Sequence, residues 1–166
     1  MQETPQQYTA RILTFVEGRD ALEVLSSSPR RLRTLVETTD PARWEVKPSP
    51  DRWSAREVLA HLADVEIVTG WRFRSILAAN GVSVQAYDQN VWAGAFKYAE
   101  VERAEALATF TAARASLVAL LKRVDPARYE HHGMHEERGR ETIPHLMRLI
   151  AGHDLNHLSQ IDRLVL

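Results

Sequence analysis

From Pro144 to Leu166 the chain reads PHLMRLIAGHDLNHLSQIDRLVL, with apolar residues recurring at intervals of three and four. Leu146, Leu149, Ile150, Ile161 and Leu164 fall on one face of a long amphipathic helix. A helix with such a stripe has to bury it against other elements, which makes a multi-layered helical fold the starting expectation. His153 and His157 lie on the same face, four residues apart. Two imidazoles there are either core histidines with satisfied hydrogen bonds or ligands of a metal ion, and the spacing alone does not choose.

The rest of the chain supplies the helices against which that stripe can pack. Residues 8–26 read as a short helical or extended lead-in. Ser28-Pro29 looks like the N-cap and first position of a helix running to Thr38, with Leu32, Leu35 and Val36 inward. Asp40-Pro41 ends it, and residues 41–52 are a connection. The sharpest boundary is Trp53-Ser54-Ala55-Arg56-Glu57-Val58, a capping box with Trp53 placed to staple onto Val58. The helix that follows runs to about Ala79, with Val58, Leu62, Val65 and Val68 on its stripe. His61 falls within that stripe, and Asp64 is its neighbour on the helix surface.

Asn80-Gly81 breaks this helix. Residues 80–99, with Tyr87, Asp88 and Trp92, form a connection long enough to cross from one end of a bundle to the other. A further helix spans about Val101 to Val124, with Leu107, Phe110, Leu117 and Leu121 inward and Arg114 within the stripe. Arg114 either lies at the edge with its head in water or is a buried cation meeting an anion or a carboxylate such as Asp64. Residues 127–141 read as a surface loop, and Thr142 or Ile143 starts the last helix. Strand signals are weak throughout. The expectation is all-α: a single four-helix-bundle domain over residues 1–166 with a long crossover between its second and third helices.

Composition narrows the function classes. Basic and acidic residues balance at 21 against 22, which leaves no overall footprint for nucleic acid. The chain has no cysteine, so disulfides, thiolate ligands and a cysteine nucleophile are excluded. No apolar run is expected to reach the roughly 20 residues of a membrane span, and the polar N-terminus lacks a signal-peptide core. A cytoplasmic protein acting on a small molecule, with neither nucleic acid nor membrane as partner, is the expectation.

His61 turns the paired histidines into a possible site. Three imidazoles pointing into one core would each cost about 1–3 kcal/mol if unsatisfied. A rise of about 1.5 Å per residue puts His61 about 10 Å from the start of its helix and the His153/His157 midpoint about 17 Å from the end of theirs. Antiparallel packing brings those levels within about 6 Å, whereas parallel packing does not. Three histidines from two helices leave an open coordination position, as in a catalytic zinc-type site, although imidazole also suits nickel, iron or copper. Gln160, one turn on from His157, is placed to orient it. Asp154 is expected to face solvent or an adjacent helix. His131 and His135 share the four-residue spacing but sit in a polar run and read as loop histidines. Competing motifs fail: His135-Glu136 lacks the second histidine of HExxH, and Glu57–His61 and Glu141–His145 are one residue too long for a di-iron set.

The segments Trp53-Ser54-Ala55-Arg56-Glu57-Val58-Leu59-Ala60-His61-Leu62-Ala63-Asp64-Val65-Glu66, Tyr87-Asp88-Gln89-Asn90-Val91-Trp92 and His153-Asp154-Leu155-Asn156-His157-Leu158-Ser159-Gln160-Ile161 together resemble the DinB/YfiT-like superfamily over residues 28–166. The resemblance implies an up-down-down-up bundle, a divalent metal, zinc or nickel, on His61, His153 and His157, and a homodimer. It also implies chemistry such as transfer of low-molecular-weight thiols. The leading expectation is a metal-dependent thiol S-transferase acting on small electrophiles, with the thiol supplied from outside and Asp64 and Arg114 as orienting groups. The alternatives are a hydrolase using a metal-bound water with Asp88 as base, and a non-catalytic stress-associated metal-binding bundle. Metal binding is expected to weaken below about pH 6, because the ligands must be neutral imidazoles.

Overall fold

The computed structural model describes residues 3–166. Four long helices, α2 (Ala21–Thr38), α3 (Ala55–Ala78), α5 (Arg103–Arg123) and α6 (Ile143–Val165), form the bundle in up-down-down-up order. α3 and α2 each pack against both α5 and α6, and the short α1 (Pro5–Thr14) lies on α6. The apolar interior falls into two clusters. One, around Ile12, Phe73, Leu117 and Ile150, includes the contact with α1; the other, around Trp44, Leu59, Phe110 and Ile161, fills the opposite end.

The cap of α3 forms as the sequence predicts. Ser54 Oγ accepts from the Glu57 amide at 3.3 Å, and Glu57 Oε2 accepts from the Ser54 amide at 2.8 Å. Trp53 packs on the cluster that contains Val58 and sets its ring 5.0 Å from that of His61. The cap therefore also walls the candidate site.

The start of α2 differs from the expectation. Asp20, not Ser28, caps it, and the helix runs through Pro29. A proline in a helix interior removes an amide and orphans the carbonyl four residues back. That carbonyl belongs to Leu25, and Arg114 Nη1 donates to it at 3.1 Å. The local break signal is overridden by a cation from another helix. The lead-in at 8–26 is accordingly α1 followed by the first turns of α2.

The two long connections carry more structure than their sequences suggest. The crossover contains β1 (Val82–Val84) and α4 (Gln89–Ala95), and the expected loop at 127–141 contains β2 (His132–His135) and β3 (Gly139–Thr142). β1 pairs parallel with β2, Val82 opposite Gly133, and β2 pairs antiparallel with β3. HGMH and GRET lack apolar alternation because the sheet is held by main-chain pairing and by its seat on α3. A Cβ at Gly133 would stand 2.6 Å from Val84 Cγ2 and 2.9 Å from Ile76 Cδ1, so the close seat requires glycine.

α5 corrects the expectation that no segment is apolar enough to cross a membrane: by length and composition it is. In the bundle its stripe of Ala106, Phe110, Arg114, Leu117 and Leu121 is buried, with Arg114 ion-paired.

Candidate metal centre

His61 projects from the second turn of α3, and His153 and His157 from consecutive turns of α6. Their ring centroids are 4.4 to 5.2 Å apart, and one nitrogen from each ring lies within 4.8 Å of the other two. His61 and His153 are buried and His157 is half-buried. The antiparallel arrangement of α3 and α6 brings the three levels together, as the height comparison requires.

The nitrogens fit a divalent ion. His61 Nε2 and His153 Nε2 stand 3.1 Å apart. Two nitrogens at that separation, each about 2.0–2.1 Å from a common ion, subtend an angle of about 100° at it, between octahedral and tetrahedral values. A proton shared between these two rings would satisfy only them, whereas an ion engages all three. His157 Nδ1 donates to Gln160 Oε1 at 2.9 Å, which leaves Nε2 with its lone pair, the orienting role expected of Gln160. Among the described residues the buried Nδ1 atoms of His61 and His153 have no protein partner, whereas the second nitrogen of His157 is anchored.

Electrostatics keep the cluster neutral and therefore able to ligate. Burial, with the neighbouring His157, pulls His61 down to about 3. Burial holds His153 well below the ordinary histidine range, with His157, His61 and Arg114 acting in the same direction. His157 is lowered by burial, with the Gln160 hydrogen bond opposing.

The other expected site residues are distributed differently. Asp64 is half-buried one turn on from His61 along α3, and its Oδ2 accepts from the Tyr98 hydroxyl at 2.6 Å. Burial and the Asp64 charge raise the Tyr98 phenol far above its usual value, so it stays a donor. The sequence reading missed Tyr98, since nothing in its local pattern marks it as buried. Asp88 is exposed and caps α4, with Oδ1 accepting from the Asn90 and Val91 amides, so its local structure accounts for it without a role as base.

Arg114 is neither at the edge nor paired with Asp64. It is 1% exposed and forms bidentate pairs with Glu66 (2.8 and 2.6 Å) and Asp154 (2.6 and 3.0 Å). Asp154, which follows a histidine of the cluster, thus faces α5 from inside the core, not solvent. Glu66 was overlooked, although a carboxylate inside Val65-Glu66-Ile67-Val68 was the available signal. Arg114 with its two carboxylates and the Leu25 carbonyl ties α2, α3, α5 and α6 at one level, a structural placement instead of one among reacting atoms. His131 and His135 share no helix face; His135 is buried on β2, with Nδ1 accepting from the Glu137 and Arg138 amides.

A four-helix bundle whose α3 and α6 bring three histidines within reach of one ion defines a class of metal-site bundles. The chain belongs to the DinB superfamily, whose sequence model matches residues 25–161. It is 22% identical over 160 residues to Putative metal-dependent hydrolase YfiT of Bacillus subtilis (strain 168), covering 95% of this chain and 90% of that protein. It is 24% identical over 136 residues to Putative metal-dependent hydrolase OB0782 of Oceanobacillus iheyensis, covering 82% and 78% respectively. The solved structure of YfiT from Bacillus subtilis, described as a probable metal-dependent hydrolase with an unusual four-helix bundle topology, aligns with a TM-score of 0.80 at 20% identity over 98% of this chain and 88% of that one. TT2238, a four-helix bundle protein, aligns with a TM-score of 0.63 at 24% identity over 86% and 96%. At these identities the structural likeness establishes the fold.

Proposed function

We propose that the protein is a divalent-metal-dependent hydrolase of small molecules, with His61, His153 and His157 as the protein ligands. The observation that carries the reading is that the three ligand nitrogens converge with no carboxylate among them. An ion held by neutral ligands alone keeps its full charge and supplies a Lewis acid that lowers the pKa of water or of a thiol towards neutrality. Imidazole ligands suit zinc and nickel equally. Asp64 is the carboxylate placed to take a proton: the Tyr98 hydroxyl fixes one oxygen and leaves the other to act. Trp53 closes one side of the centre by its contact with His61. The names of both curated relatives point to the same reaction class.

Thiol S-transfer is the second reading, and the absence of cysteine is what favours it, because the thiol then has to come from an outside molecule. A thiol ionised by the ion would attack an electrophile without needing a protein base. The test pairs elemental analysis of the purified protein and its His157→Ala variant with turnover of neutral esters, and of electrophiles supplied with several thiols. The reading expects one bound divalent ion in the parent, little in the variant, and ester cleavage that disappears with Asp64→Asn. Equal metal content in parent and variant would sink the centre. Thiol consumption without ester cleavage would select the second reading.

A further inference from the structure

A second feature lies further along α3, on the face that carries His61. Arg72 is eleven residues on, three turns and about 20° round, so its Cα is about 16 Å from that of His61 along the axis. It lines a cavity of about 520 Å³ between α3 and the crossover, of the size that holds a small organic molecule. Trp71, Tyr87 and Trp92 supply aromatic wall, with the Tyr87 and Trp92 rings 4.4 Å apart and the Arg72 guanidinium 5.7 Å from the Tyr87 ring centre.

Arg72 is 9% exposed, and its one protein hydrogen bond among the described residues runs from Nη2 to the Gln85 carbonyl at 2.5 Å. Among those residues no carboxylate oxygen lies within 4.0 Å of it. The neighbouring carboxylate, Glu141, is buried and already bonded through both oxygens to Arg138 at 2.7 and 3.3 Å. The contrast with Arg114 is direct: that guanidinium has two carboxylates, and Arg72 has none. Burial and the charge of Arg138 accordingly hold Arg72 below the ordinary arginine range, the sign of a cation missing its counter-charge. A second donor lies nearby on β2. His135, in register with Val84 of the cavity wall, accepts through Nδ1, so its proton is on Nε2, which is buried and has no partner among the described residues.

We propose that the Arg72 cavity is a subsite for the oxyanion, a carboxylate or a phosphate ester, of a small molecule with an apolar or aromatic body. Its alignment with His61 makes it the far end of the substrate site, a step that rests on the proposed hydrolase. The oxyanion takes the free edge of the guanidinium, and the body lies against Tyr87, Trp92 and Trp71. An unpaired buried guanidinium is costly, and the ligand supplies what the chain withholds.

The test uses the full chain, metal-free and zinc-loaded, titrated with benzoate, phenyl phosphate and the neutral analogue benzyl alcohol, and read by isothermal titration calorimetry. At least one anion is expected to bind ten-fold or more tightly than the alcohol in both forms, and the preferred anion identifies the source of the oxyanion. Arg72→Gln should erase the difference, and Arg72→Lys should retain part of it, with metal content unchanged. Anions that bind no better than the alcohol, or equally well to folded Arg72→Gln, overturn the subsite. The substrate assignment is tested with 4-nitrophenyl monoesters of dicarboxylic acids of graded chain length against uncharged esters of the same lengths. A ten-fold lower KM is expected at one or more lengths, lost in Arg72→Gln; no such length overturns the assignment. Because binding is also read without metal, failure of the histidine centre leaves the anion result standing.

Discussion

Replacing Arg114 by methionine tests whether the buried ionic cluster organises the bundle. The side chain makes five hydrogen bonds, four to the carboxylates of Glu66 and Asp154 and one to the Leu25 carbonyl. At about 1.5–3 kcal/mol for each charged bond and less for the carbonyl, the gross loss is on the order of 7–13 kcal/mol. Recovered guanidinium desolvation offsets much of it, so the net cost is about 3–5 kcal/mol. For a chain of this size that lowers Tm by roughly 6–20 °C. Burial already raises the Glu66 carboxyl even with Arg114 present, and Arg114→Met should raise it further. A carboxyl whose folded pKa exceeds its unfolded value contributes stability that is present in acid and lost as pH rises through the folded value. The deficit of the variant should therefore shrink between pH 8 and pH 5. Urea unfolding across that range reads both effects, and the triple change Arg114→Met, Glu66→Leu, Asp154→Leu should recover most of the loss. A cost under about 1 kcal/mol, or a deficit that grows in acid, would refute the reasoning.

Two further outcomes follow from particular contacts. Gly152→Ala drives a Cβ into the Ile12 carbonyl, so α1 should detach from α6 at a cost of about 1–3 kcal/mol, read by urea unfolding and by faster amide exchange over residues 5–14; unchanged exchange in α1 counts against the contact. Burial and then Arg138 pull His135 down to about 4, so its contribution is intact above the unfolded value near 6.5 and is lost as pH falls towards 4. Unfolding free energy should drop by up to about 2 kcal/mol from pH 7.5 to 5 through this residue. His135→Asn, which keeps an acceptor for the Glu137 and Arg138 amides, should show a visibly shallower pH slope; an unaltered slope excludes His135 as its source.

The sequence exposes structure where the determining forces are local or periodic. The Ser54–Glu57 box placed the start of α3, and rise per residue was enough to pair His61 with His153 and His157. Gln160 could be matched to His157 because both lie on one helix. Features that depend on a distant partner were hidden. Pro29 reads as a helix start because proline suits a first turn, and the group that lets it sit mid-helix instead, Arg114 donating to the freed Leu25 carbonyl, lies far along the chain on another helix. Arg114 itself was legible as either an edge or a core residue, and choosing between them required Glu66 and Asp154. The strands of the connections were hidden by their shortness: β1 takes its conformation from a partner about fifty residues away, and the β2–β3 hairpin, HGMH against GRET, has no apolar alternation to announce it.

That small sheet also bears on how an ion would be captured. β1 follows α3 after a short turn, and β3 runs directly into α6, so the two histidine-bearing helices are sewn together at the end remote from His61. Were His153 and His157 to hold an ion, the third imidazole would come from a tethered neighbour, at a high effective concentration and with little loss of chain entropy. Affinity would then depend on the stitching as well as on the ligands. Substitutions at Gly133, on the sheet and away from His61, His153 and His157, should loosen metal binding by letting the two helices fray apart.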